Sequence, residues 1–185
     1  MKRIICILLV VLLLSGCSGD SDEMNRAMTL RTKLLAKSVN FDAVVTADYG
    51  DAVYTFTMNC QSDTKGNVTF TVKEPETISG ITGSISAIGG KLTFDDQALS
   101  FALLADGQLS PVSGPWILMR ALRSGYLTTC GKDGENLRLS VDDSYADDAL
   151  HLDVWLGEGD LPIRGEILWK GRRLLSVEVK NFTFV

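Results

Sequence analysis

Histidine is almost missing from this 185-residue chain, with His151 its single representative, and proline occurs 4 times. One imidazole excludes most zinc centres and His-rich metal sites. The chain also lacks a positive excess: 18 Lys and Arg stand against 23 Asp and Glu, for a formal charge of −5 and a pI near 4.9. Such a chain has no global attraction for polyphosphate, which argues against a nucleic-acid partner. The unbroken apolar run from Ile4 to Leu14 would reach only about 16 Å as a helix, roughly half of a ~30 Å hydrocarbon core, too little to span a membrane. Catalytic signatures are missing as well. No Gly-x-Ser-x-Gly elbow occurs, and Gly89-Gly90-Lys91-Leu92 is no phosphate loop, because Ile85 stands where its first glycine belongs and Leu92 where its Ser or Thr belongs.

With 45% apolar and 22% charged residues, the chain reads as one globular domain. It opens with an address: Lys2 and Arg3, the apolar run, then the small residues Ser15 and Gly16, the three-part pattern of a secretory signal. Leu14-Ser15-Gly16-Cys17 resembles the lipobox of bacterial lipoproteins. That resemblance implies cleavage before Cys17, a diacylglycerol on its thiol and a further chain such as palmitate on the new amino terminus, enough acyl chain for stable anchoring. The expected organisation is a signal peptide at 1–16, a lipidated tether at 17–23 and a folded domain at 24–185, lipid-anchored on a bacterial membrane and facing away from the cytoplasm. Loss of Lys2 and Arg3 takes the formal charge from −5 to −7.

After the small, acidic segment Ser18 to Glu23, Met24, Ala27, Met28, Leu30, Leu34, Leu35 and Val39 share one half of a helical wheel and Arg26, Thr29, Lys33 and Lys37 the other. This predicts an amphipathic helix capped by Ser21 or Asp22. Its basic residues form either a stripe toward anionic lipid or a solvated face. From Phe41 the period becomes two: Tyr54, Phe56, Met58 and Cys60 alternate with polar residues, as do Val68, Phe70 and Val72. Further strands are expected at 83–88, 91–94, 99–104, 126–130, 137–141, 150–156, 163–169 and 174–184. The turns between them include Asp63-Thr64-Lys65-Gly66-Asn67, Gly89-Gly90, Asp95-Asp96, Asp106-Gly107, Lys132-Asp133-Gly134 and Lys170-Gly171. About ten short strands with tight turns predict a mainly β (α+β) chain built as an antiparallel meander. The meander is broken by a short central helix from Trp116 to Arg123, entered at Pro115 and ended at Gly125. That helix is either a plug for an open barrel mouth or a crossover.

Phe56, Met58, Phe70, Trp155 and Trp169, with Trp116, Met119 and Leu122 of the central helix, are the large apolar groups that either line a lipid cleft or fill an ordinary core. Cys60 and Cys130, the cysteines left beside the anchor, either pair in an oxidising compartment or serve as small buried hydrophobes. A cysteine nucleophile with His151 as base is formally possible but strand cysteines are the more ordinary reading. Asp142-Asp143-Ser144-Tyr145-Ala146-Asp147-Asp148 lacks the spaced ligands of a calcium loop and reads as a solvated acidic turn. No metal, cofactor or catalytic residue is expected.

The order of leading helix, antiparallel strands, Pro-flanked central helix and a last strand Val177-Glu178-Val179-Lys180-Asn181-Phe182-Thr183-Phe184 resembles the LolA/LolB-like lipoprotein-carrier superfamily. The segments Val72 to Ile81 and Leu104-Ala105-Asp106-Gly107 also resemble small lipoproteins of that group. The resemblance implies an unclosed half-barrel whose concave apolar face receives acyl chains. The expectation is a non-enzymatic, membrane-anchored lipoprotein holding an acyl chain or another lipoprotein's lipid, or else a cell-envelope interaction or sensing lipoprotein with a filled core.

Overall fold

The structure, a computed structural model, describes residues 19–94, 97–101, 104–105 and 108–185. The signal segment, Cys17, Asp95-Asp96 and Asp106-Gly107 lie outside the described residues.

Helix α1 spans Gly19–Ala36. It therefore starts before the expected caps and takes in most of the segment read as a tether. Asp22 and Glu23 lie near its start, where carboxylates complement the positive end of a helix dipole. Its buried stripe is narrower than the wheel suggested: Ala27, Leu30 and Leu34 enter the core, whereas Met24, Met28 and Leu35 are exposed. Val39 already belongs to a strand. The basic face is also interrupted, since Arg26 donates from Nε to Oδ1 of Asp160 at 2.8 Å.

Strands β1 (Val39–Asp48), β2 (Val53–Ser62), β3 (Val68–Glu74), β4 (Thr82–Ser86), β5 (Gly89–Phe94) and β6 (Gln97–Phe101) run outward as a meander. A small hairpin of β7 (Leu104–Ala105) and β8 (Gln108–Leu109) follows, then helix α2 (Gly114–Ser124). Strands β9 (Tyr126–Asp133), β10 (Asn136–Asp142), β11 (Leu150–Leu156), β12 (Pro162–Trp169) and β13 (Arg172–Phe184) then return from the opposite edge. The result is one antiparallel sheet of 11 strands in the order β6-β5-β4-β3-β2-β1-β13-β12-β11-β10-β9. The expected single meander is thus two meanders joined at the centre, where β1 pairs with β13 from Val39↔Phe184 to Ala47↔Leu175. Segment 99–104, expected as one strand, is divided between β6 and β7.

The period-two pattern decides which face is covered. Along β1 the residues Val39, Phe41, Ala43, Val45 and Ala47 are buried while the intervening ones are exposed or half-buried, so one face of the sheet is apolar and the other polar. Turn chemistry fixes the registers. Asp63 Oδ1 accepts from the amides of Lys65 and Asn67, both at 2.9 Å, and closes the β2–β3 turn. Lys170 and Gly171, at φ 49° and 77°, form the two-residue turn between β12 and β13, where positive φ matches the twist of a hairpin.

Helix α2 answers the choice between plug and crossover: it is both. It carries the chain from the β6 edge to the β9 edge and packs against β1, β2 and β10–β13, from both halves of the sheet. The sheet therefore curls around it as an open half-barrel, and α1 closes over the other side of α2. All of α2 except Arg120 and Ser124 is buried, as a helix apolar on nearly every side requires. Gly165 permits the close seating: a Cβ there would stand 2.8 Å from Leu118 Cδ1.

Candidate functional site

The concave face and the underside of α2 form one core. Met58, Phe70, Trp116, Leu118, Met119 and Leu122 are each 3% exposed or less, together with Cys60, Val68, Leu152, Val154 and Ile167. Of the eight residues read as cleft candidates, the structure brings Met58, Phe70, Trp116, Met119 and Leu122 into this core. Phe56 is half-buried in line with Met58 on β2, and Trp169 is half-buried against the core's edge.

Trp155 does not join them. It stands between the buried Val154 and Leu156 on β11, so alternation points it to the outer face. There Arg138 and Arg164 lie over its ring, 5.4 and 4.8 Å from the centroid, and its Nε1 donates to Asp133 Oδ2 at 2.7 Å. The same outer face carries a polar network. Asp153, 7% exposed, accepts from Arg138 Nη2 at 2.8 Å and from Ser140 Oγ at 2.7 Å. Burial raises the Asp153 pKa, yet these hydrogen bonds outweigh it and hold the carboxyl below its usual range. His151 lies beside Asp142, with Nδ1 2.7 Å from Oδ1.

This placement separates the groups considered for nucleophilic chemistry. Cys60 points into the core on β2, and Cys130, opposite Leu139, faces the concave side of β9, whereas His151 is on the outer face. No bond joins Cys60 to Cys130: five strands lie between β2 and β9, far beyond the Cα separation of about 4.4–6.8 Å a disulfide needs. Burial also pushes the Cys60 thiol pKa upward, against thiolate formation. Among the described residues, no group of three or more His, Cys, Asp or Glu is placed to hold a metal ion.

Space is found beside α2 rather than beneath it. One pocket, about 280 Å³, lies between α2, Leu35 of α1, the 64–67 turn and Ala87. Trp116, Arg120 and Arg123 form its helix side. A second, about 270 Å³, lies across the helix between Leu109, Ile117 and the 143–150 segment, with Trp116 and Arg120 again on its wall. Trp116 is fixed there by donating from Nε1 to the carbonyl oxygen of Gly66 at 3.0 Å, and Arg120 lies over its ring at 5.2 Å.

Arg120 and Arg123 were missed in the sequence because arginines in a helix read as solvent-facing. A signal was present: positions 116, 119, 120 and 123 recur at three and four residues and share a stripe. Arg31 of α1 is a third arginine that the sequence reading left out. Its guanidinium donates to the carbonyl oxygens of Leu122 at 3.0 Å and Gly125 at 2.8 Å, and so closes the C-terminal end of α2.

No family model matches the sequence, and no curated protein matches it either. Similar chain paths occur among solved structures. An uncharacterised conserved protein from Thermus thermophilus is 12% identical with a TM-score of 0.49, covering 88% of this chain and 87% of that one. A LolA superfamily protein from Nitrosomonas europaea is 10% identical with a TM-score of 0.44, over 86% and 93% of the two chains. The lipoprotein LppX of Mycobacterium tuberculosis is 10% identical with a TM-score of 0.42, over 87% and 93%. None of these likenesses bears on a particular side chain of this chain.

Proposed function

We propose that this protein is a non-enzymatic lipoprotein of the bacterial envelope, anchored through Cys17, whose half-barrel holds one hydrophobic ligand against α2. The observation that carries the reading is the pair of pockets on either side of Trp116. Each is close to the lower end of the ~300–1,000 Å³ of ordinary small-molecule sites, and Trp116 and Arg120 line both. The face beneath α2 is mainly apolar, so displacement of the helix would enlarge this space with apolar surface. Burial of an acyl chain there would contribute about 25 cal/mol per Å² of apolar area, and α2, tied to the sheet edges by loops, would act as the cover. The resemblance of the sequence to lipoprotein carriers agrees with a ligand that is an acyl chain or lipoprotein lipid. No described helix is long and apolar enough to cross a membrane, and in this reading attachment falls to the acyl chains on Cys17.

The test is titration of the full-length protein with 11-(dansylamino)undecanoic acid. Saturable one-to-one binding with blue-shifted emission is expected; emission that rises without saturation, or not at all, overturns the reading. A second reading, an envelope interaction or sensing protein with no ligand, is favoured by one observation: Leu118 and Met119 fill the space directly beneath α2.

A further inference from the structure

The two pockets beside α2 differ in charge. Arg120 lines both; beyond it, the one across the helix meets carboxylates at Asp143 and Asp148, whereas the one near the 64–67 turn is bordered by Lys65 and Arg123. Neither Lys65 nor Arg120 forms an ion pair among the described residues. Arg123 is the unusual member. It is 5% exposed, and its Nε and Nη1 have no hydrogen-bond partner among the described residues. Its Nη2 reaches only Ser62 Oγ, at 3.4 Å. Asp63 is near enough to favour its charge, but its oxygens accept from Lys65 and Asn67 of the same turn and no hydrogen bond joins it to Arg123 among the described residues.

A buried guanidinium with two unused N–H groups is costly unless something accepts from it. Its planar fork suits the paired oxygens of a phosphate or carboxylate. We propose that this pocket receives the anionic head group of an amphiphile, on Arg123 with Arg120 and Lys65 at the mouth, while the acyl chain passes Trp116 into apolar space. The proposal rests on the ligand-binding reading above and adds a direction: beyond the shared Arg120, the cations Lys65 and Arg123 stand on one side and the carboxylates of Asp143 and Asp148 on the other, so the head group is favoured on the Arg123 side.

The experiment is calorimetric titration of the full-length protein with decyl phosphate, decanol and inorganic phosphate in turn. Decyl phosphate is expected to bind about tenfold more tightly than decanol, the effect of one or more charge-assisted hydrogen bonds. Arg123→Met should bring the two to near-equal affinity while decanol binding persists. Should Arg123→Met fail to fold, Lys65→Gln combined with Arg120→Gln, on exposed positions, should narrow the same preference severalfold. Equal affinity of the unaltered protein for decyl phosphate and decanol would overturn the head-group proposal and leave the hydrophobic-ligand reading standing. Binding of neither amphiphile would overturn both. Inorganic phosphate binding as tightly as decyl phosphate would mean a site for the free anion and would overturn the amphiphile assignment.

Discussion

Arg31, on α1, donates from Nη2 to the carbonyl oxygen of Gly125, 2.8 Å away, although 94 residues separate them. With the further bond to Leu122 this clamps the helix that covers the half-barrel, α2, to α1. Burial lowers the Arg31 pKa from its usual value, so the charge is kept in a partly dry place by carbonyls alone. Arg31→Met should cost about 1.5–3 kcal/mol, the range for hydrogen bonds to a charged group, read as a lower urea midpoint at unchanged slope. If α2 is the cover, the same change should also speed association of the dansyl fatty acid. A variant as stable as the unaltered protein would show that Arg31 does not hold α2.

Gly125 is constrained from a second side. A Cβ there would lie 2.8 Å from the carbonyl oxygen of Ala121, which is the backbone of α2, and 2.3 Å from Val141 Cγ1. Gly125→Ala should therefore destabilise by about 1–3 kcal/mol through overpacking, where an ordinary turn glycine would tolerate alanine. Thermal unfolding checks this, and an unchanged midpoint would contradict the tight seating of the α2 end.

The outer-face network makes stability depend on acid. Asp153 has a folded pKa held below its unfolded value of about 3.9. Its ionised form thus contributes stability that is complete above that value and is lost as pH falls through the folded pKa. Asp153→Asn is expected to cost about 1–3 kcal/mol at pH 7, with the gap from the unaltered protein closing below about pH 4. Equal gaps at pH 3 and pH 7, measured by urea unfolding, would contradict a role for the Asp153 charge.

Much of this architecture can be read from residue order, and the failures have physical causes. Alternation at Tyr54, Phe56, Met58 and Cys60 and the Lys170-Gly171 turn specify strands and hairpins locally. The pairing of β1 with β13 joins residues more than 120 positions apart, and no local pattern declares it. Trp155 was grouped with the interior on its size alone, yet its place between Val154 and Leu156 already directed it outward. Arg31 and Arg123 depend on carbonyls and pockets supplied by distant elements, so helical periodicity could mark them as misplaced without saying what they meet.

Anchoring is tested separately from the fold. Cys17→Ser should leave an unprocessed chain that no longer partitions into the detergent phase. Normal partitioning of that variant would overturn the lipobox assignment while leaving the half-barrel untouched.

The most direct measurement of ligand binding is native mass spectrometry of the full-length protein released gently from its host membrane. A population heavier by the mass of one amphiphile, displaced by added decyl phosphate, is the expected result. A single species at the mass of the acylated chain alone, unchanged by added decyl phosphate, would contradict the account.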